Sequence, residues 1–307
     1  MVNEFSPVNP NLSRFSLKDI FFLTRFAYHV ASVNAKGKQV KEWSRTCTLS
    51  TVIFEELAGL SLPFNIYRII PLYKKYMRES DNLYDETDHF PKWDEMKQSI
   101  QESQHDLLSA IADIALPDKK KRIIFLALAS LRRKAFEVLQ EKEGWQDNVT
   151  YDQAYNHRLQ TTGLLGSTFA KILNTACSIP IERRAKIEKG FKHVAMVLQF
   201  IDDFIDIAED SFRDGSLIIT TLKENPEEEI NLNKAMQEQG TKISIFNLFN
   251  MYAPLSLENY FKRMFFELAP INTISPICMK FLESIILKKL PKIKISKMKF
   301  FDKLEKA

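Results

Sequence analysis

The sequence predicts an all-α protein, and three observations carry that prediction. Only 8 of 307 residues are glycine. Sustained alternation of apolar and polar residues, the signature of a half-buried strand, is almost absent. Helical periodicity recurs along the chain instead, punctuated at Pro63, Pro71, Pro91, Pro117, Pro180, Pro226, Pro254, Pro270 and Pro291.

Taken in order, the first helix is expected over 16–34, opening on a capping box at Ser16-Leu-Lys-Asp19. The next spans 46–60 and stops ahead of Pro63, and 64–88 fills the interval to Pro91. Helices at 92–115 and 118–142 flank Pro117, and 150–177 opens on a second capping box, Thr150 to Gln153, and closes before Pro180. The remainder are 181–212, 227–238, 242–252, 256–268 and 272–290, separated by the later prolines. No repeat or low-complexity linker divides them, so residues 1–290 are expected to form a single helical domain, with 291–307 as an irregular basic tail.

Bulk composition excludes several classes. The chain is 45% hydrophobic and 27% charged, ordinary for a globular protein, and a net charge of +4 makes no case for nucleic acid. Cys47, Cys177 and Cys278 lie far apart with no CxxC and read as reduced, buried thiols. The glycosylation sequon at Asn148 reads as chance. Glu4 and Pro7 stand where a secretory leader would carry basic residues, and runs such as 123–129 fall far short of the ~20 apolar residues that span a bilayer. A cytoplasmic protein is expected. The tail interleaves lysine with Ile293, Ile295, Met298 and Phe300, a pattern suited to peripheral contact with anionic headgroups as well as to a solvated terminus.

The most informative stretch is "QFIDDFIDIAED", 199–210, with no lysine or arginine between Lys192 and Arg213. At ~100° per residue, Asp206, Gln199, Asp210 and Asp203 fall about 40°, 60°, 80° and 100° from Asp202, with Glu209 beside them. The rest of the circumference is apolar, from Val194 to Ala208. A helix apolar around most of its girth is buried, so the acidic stripe is expected to face an internal cavity. Crowded carboxylates there need neutralising cations, and oxygen-only ligands suit Mg²⁺, with Mn²⁺ as the alternative. Mg²⁺ is commonly held jointly by carboxylates and substrate phosphates, so a phosphate-bearing substrate is expected.

A second acidic pair lies in "YKKYMRESDNLYDE", 73–86. Asp81 and Asp85 are one turn apart, and Lys74 and Arg78 precede them on the same face. Alone this reads as well as a solvent-facing ion-pair ladder. Facing the 202–210 stripe across an apolar bundle, it reads as the opposite wall of a metal-bridged diphosphate site. Between the two, "YNHRLQTTGLLGSTFAKIL" carries Gly163 and Gly166 within a helical pattern, at about 1 kcal/mol each relative to alanine. Close helix packing, a helix break or a nearby ligand would each explain them. Arg158 on this stretch is a candidate diphosphate contact.

Two D-x-x-x-D helices in an all-helical chain of this size resemble the class I terpenoid synthases. The frame at 198–210 is similar to the second aspartate-rich motif of squalene synthases. "SDNLYDE" and "FRDGSLI" resemble motifs of the bacterial large-terpene cyclases of the tetraprenyl-β-curcumene synthase group, and "YNHRLQTTGLLG" loosely resembles a squalene-synthase helix. The resemblance covers about 60 to 225. It implies an antiparallel helical bundle around a hydrophobic cavity, with Mg²⁺ held by Asp81 and Asp85 and by Asp202, Asp206 and Asp210. Asp203 and Gln199 have no assigned role within it. Glu86 departs from it, standing where the cyclase motif is basic, and the first motif lacks the paired aspartates of head-to-tail synthases.

The implied reaction ionises an allylic prenyl diphosphate, with Lys74, Arg78, Arg158 or Arg213 steadying the departing diphosphate. The cation would then cyclise or eliminate in a pocket drawn from the chain's 23 phenylalanines. Head-to-head condensation of squalene or phytoene synthase type is the alternative. Two further readings differ in class: an HD phosphohydrolase using His105-Asp106 with His29 and His89, and a non-catalytic helical scaffold with an acidic groove.

Overall fold

In a computed structural model of the chain, residues 17–85, 93–143, 149–205, 216–239 and 245–289 are described. Among them there are fourteen helices and no strand. The Ser16 capping box, Asn148, His89, Glu86 and the basic tail lie outside the described residues.

α1 (Leu17–Gly37) turns into α2 (Arg45–Ala58) through a short connection locked by Trp43. The indole lies so close against Gly37 that a Cβ there would overlap its ring, and its Nε1 donates to Thr48 Oγ1 at 2.8 Å. Ser44 caps α2 by accepting from Cys47 N, and Gly59 ends it at φ 64°, a left-handed conformation that glycine adopts without strain.

The helix expected over 64–88 is two: α3 (Phe64–Tyr67) and α4 (Ile69–Asp85). Pro71 supplies the reason. It has no N–H for Tyr67 and would clash one turn back in a continuous helix, but it fits the first turn of a new one. α5 (Trp93–Asp113) and α6 (Asp118–Glu143) follow as expected. The 150–177 segment is also two helices, α7 (Tyr151–Gln160) and α8 (Thr162–Ala176), broken at Thr161 with φ −97° and ψ −85°. The Thr150 capping box opens α7 in full. α9 is described over Ile181–Ile205.

α10 (Leu217–Lys223) was not expected, because its LIITT run is poor in helix formers. Burial and back-bonding sustain it: Leu217, Ile218 and Leu222 are buried, while Thr220 and Thr221 donate to Ser216 O and Leu217 O. After α11 (Pro226–Gln239) and α12 (Ile245–Tyr252) comes α13 (Pro254–Ile274), which runs straight through Pro270 where a break was expected. The hydrogen bond lost there would have gone to Phe266, an exposed residue whose carbonyl water can serve. α14 (Pro276–Lys289) closes the described chain.

One apolar core extends from Phe26 on α1 to Ile286 on α14. α8 and α9 form its most extensive contact, with α13 and α2 packed on α9 and α6 on α8. The closeness of α8 and α9 explains Gly166: a Cβ there would lie 2.5 Å from Phe191 O and 2.7 Å from Ala195 Cβ. Among the described residues no helix is long and apolar enough to cross a membrane.

Candidate active site

Four helices, α2, α4, α8 and α9, enclose a cavity of about 340 Å³. Its floor is apolar: Ile53, Ile70, Phe169 and Phe191, with the Tyr73 and Phe169 rings 5.3 Å apart and Phe169 and Phe191 5.6 Å apart. Its polar lining residues are Thr46 and Ser50 on α2, Lys74 on α4, Thr162 on α8, and Gln199 and Asp202 on α9. Burial, and after it the neighbouring Tyr76, holds the Tyr73 phenol well above its usual range. That hydroxyl therefore stays protonated and donates to Leu165 O at 2.9 Å, closing the wall between α4 and α8.

Both α4 and α9 line the cavity. On α4 the lining residues are Ile70, Tyr73, Lys74 and Met77. By helix arithmetic, positions 81 and 85 fall within about 20° of Lys74 around the α4 axis. On α9 the line is Phe191, Val194, Ala195, Leu198, Gln199 and Asp202, and Asp202 stands last. The side chains of Asp81 and Asp85, and Asp206, Asp210 and Arg213 entirely, lie outside the described residues.

Several expected site residues stand differently from the prediction. Asp202 lines the cavity but is exposed, a rim residue rather than an interior one. Arg78 faces solvent and contacts Glu79 at 3.3 Å; the ~40° it trails Lys74 turns it out of the groove. Lys74 points to the cavity, and its Nζ donates to Ser44 Oγ at 3.0 Å. Arg158 leans on Asp203, Nη2 to Oδ1 3.7 Å, and is not among the cavity-lining residues. Asp203 is the most buried of the group, at 2% exposure, because the ~100° step from Asp202 turns it toward α7 and α10. Cys47 and Cys278 are buried as expected, but Cys177 is only half-buried.

The residues of the phosphohydrolase reading are not brought together. His105 is exposed, Asp106 contacts Lys75 on α4 at 3.5 Å, and His29 is engaged by Glu55 at 3.1 Å.

Sequence reading missed two buried glutamates. Glu55 accepts from Leu62 N at 2.7 Å and Tyr67 Oη at 3.2 Å, besides its contact with His29. Glu267 accepts from Tyr155 Oη at 2.5 Å and lies 2.8 Å from His193 Nδ1. Each is an acid inside an apolar run, "TVIFEELA" and "MFFELA", and that is the signal that marks them. Both tie helices together away from the cavity.

The donor set suits a hard cation. On the α9 line one carboxylate, Asp202, and one amide, Gln199, reach the cavity, with no thiolate or imidazole beside them. Among the described residues no three His, Cys, Asp or Glu side chains converge, and four of the five expected ligands have side chains outside that set. No family model and no curated protein matches the chain.

Proposed function

We propose that this protein is a Mg²⁺-dependent terpene synthase that ionises one allylic prenyl diphosphate and cyclises or deprotonates the resulting cation. The observation that carries this reading is the cavity: largely apolar and aromatic, with Lys74 of α4 and Asp202 of α9 in its lining. The class I terpenoid synthase fold belongs to the same proposal, supported by the all-helical architecture.

Lys74 is the cation best placed for the diphosphate, since among the described residues it is the lysine or arginine that lines the cavity. Asp81, Asp85, Asp202, Asp206 and Asp210 would hold Mg²⁺, which when bound would supply neutralising charge for the departing diphosphate. Phe169, Phe191 and Tyr73 line the cavity, where they would exclude water and offer aromatic rings that favour a developing cation.

Thermal shift gives the first test. Wild type is expected to gain stability with Mg²⁺ and pyrophosphate together, whereas Asp81→Ala and Asp206→Ala are not. Incubation with farnesyl diphosphate and its longer homologues should then release diphosphate. Release from none of them sinks the enzyme reading, and mutants that match wild type in the thermal shift return the protein to a helical scaffold.

A further inference from the structure

Buried Asp203 sits at the centre of a polar chain that begins with half-buried residues on the cavity wall. Thr162 Oγ1 donates to Gln199 Oε1 at 2.8 Å, and Gln199 Nε2 donates to Asp203 Oδ1 at 2.5 Å. The other carboxylate oxygen, Oδ2, accepts from Leu217 N at 2.7 Å, at the first residue of α10. Arg158 approaches Oδ1 at 3.7 Å, beyond hydrogen-bond length, and its buried Nε has no hydrogen-bond partner. Arg158 thus balances the charge on Asp203 without taking over its oxygens.

An ionised carboxylate only accepts, so the amide of Gln199 must turn its NH₂ to Asp203 and its oxygen to Thr162. Reversed, two acceptors would meet at a separation of 2.5 Å. Thr162 and Gln199 both line the cavity, so this constraint decides which atom of Gln199 a ligand meets. With both oxygens engaged inside the protein, Asp203 is not placed to coordinate a metal at the rim.

We infer that Asp203 is a positioning residue: it holds the Gln199 amide in one orientation, with Oε1 on the Thr162 side, as part of the diphosphate-metal end of the cavity. The inference rests on the synthase reading for its ligand but not for its geometry. The substitution Asp203→Asn keeps the shape and the acceptor for Leu217 N, yet presents an NH₂ to Gln199. The amide must then flip. Adding Gln199→Glu supplies a carboxylate that accepts both from Thr162 and from the NH₂ that Asp203→Asn introduces. The double variant therefore restores an oxygen on the Thr162 side and keeps one negative charge in the network.

The test compares wild type, Asp203→Asn and the double variant Gln199→Glu with Asp203→Asn, each intact. Thermal-shift titration with Mg²⁺ and inorganic pyrophosphate should show roughly tenfold weaker binding for Asp203→Asn, from one misaligned charge-assisted hydrogen bond. The double variant should recover to within about threefold of wild type. A purely structural role would lower the unliganded stability of both variants without this rescue. Equal binding by Asp203→Asn and wild type, or a double variant as weak as Asp203→Asn, overturns the inference.

Selective ¹⁵N-glutamine labelling supplies a second readout that needs no ligand. The Gln199 side-chain amide should be protected from solvent exchange in wild type and displaced in Asp203→Asn. If wild type shows no response to Mg²⁺ and pyrophosphate, the synthase reading fails, and the amide signal alone decides the positioning role. Exchange in wild type as fast as in an exposed glutamine refutes it.

Discussion

Replacing Gly166 by alanine isolates the contact on which the cavity wall depends. Two effects oppose each other. Alanine is the better helix former by about 1 kcal/mol, which favours the substitution in mid-helix. Against this, the new Cβ would stand 2.5 Å from Phe191 O and 2.7 Å from Ala195 Cβ. The first of these is a backbone atom of α9, which cannot rotate aside, so α8 must move off α9. Overpacking of this kind costs typically about 1–3 kcal/mol, and the upper end applies where backbone is the obstacle. The net expectation is a loss of about 2 kcal/mol, or roughly 4 °C in melting temperature for a chain of this size. Gly163→Ala is the internal control. Its Cβ would meet Lys192 Cγ at 3.2 Å, the stem of a flexible side chain, so the propensity gain should prevail and stability should hold or rise. Paired urea and thermal melts of the two variants decide the matter. If Gly166→Ala is as stable as wild type, or both variants shift alike, the close approach of α8 and α9 is not what requires glycine.

Two other expectations follow from buried groups. Glu267→Gln keeps the volume but replaces a shared acceptor between Tyr155 and His193 with an amide that has only one acceptor oxygen. A loss of about 1–3 kcal/mol is expected in denaturant unfolding, and Glu267→Gln melting with wild type would show that the tie between α7, α9 and α13 contributes nothing. The thiols report on burial by their reactivity. Burial pushes the Cys177 and Cys278 thiols up from 9.0 to about 12, because a desolvated thiolate is disfavoured. Both should therefore react with a disulfide reagent at pH ~8 far more slowly than a free thiol and reach the normal rate only on unfolding. Because their folded values are raised, the stability they contribute is complete below pH 9.0 and is lost as pH climbs toward about 12. Normal reaction rates in the folded protein under those conditions would contradict this.

The helical class and most helix boundaries were legible in the sequence because they depend on local quantities: apolar spacing, proline punctuation and capping chemistry. The Thr150 box was readable for the same reason, since its two hydrogen bonds close between Thr150 and Gln153. Which positions share a face on each acidic helix was readable too. A fixed rise and turn per residue places positions 81 and 85 on the face of Lys74 without knowledge of any neighbour.

Tertiary structure decided what each face meets. A single helix cannot tell whether the residue ~100° from Asp202 faces solvent or another helix. Contact with α7 and α10 buries Asp203, and the open end of the cavity leaves Asp202 exposed. The same holds for α10, whose LIITT run is helical because burial outweighs its weak propensity. It holds also for Glu55 and Glu267, which the sequence marks only as acids in apolar runs. Their partners come from distant helices, Tyr155 and Glu267 lying 112 residues apart. Periodicity and capping are set by near neighbours along the chain, whereas burial, pairing and the cavity itself are set by which helices pack together.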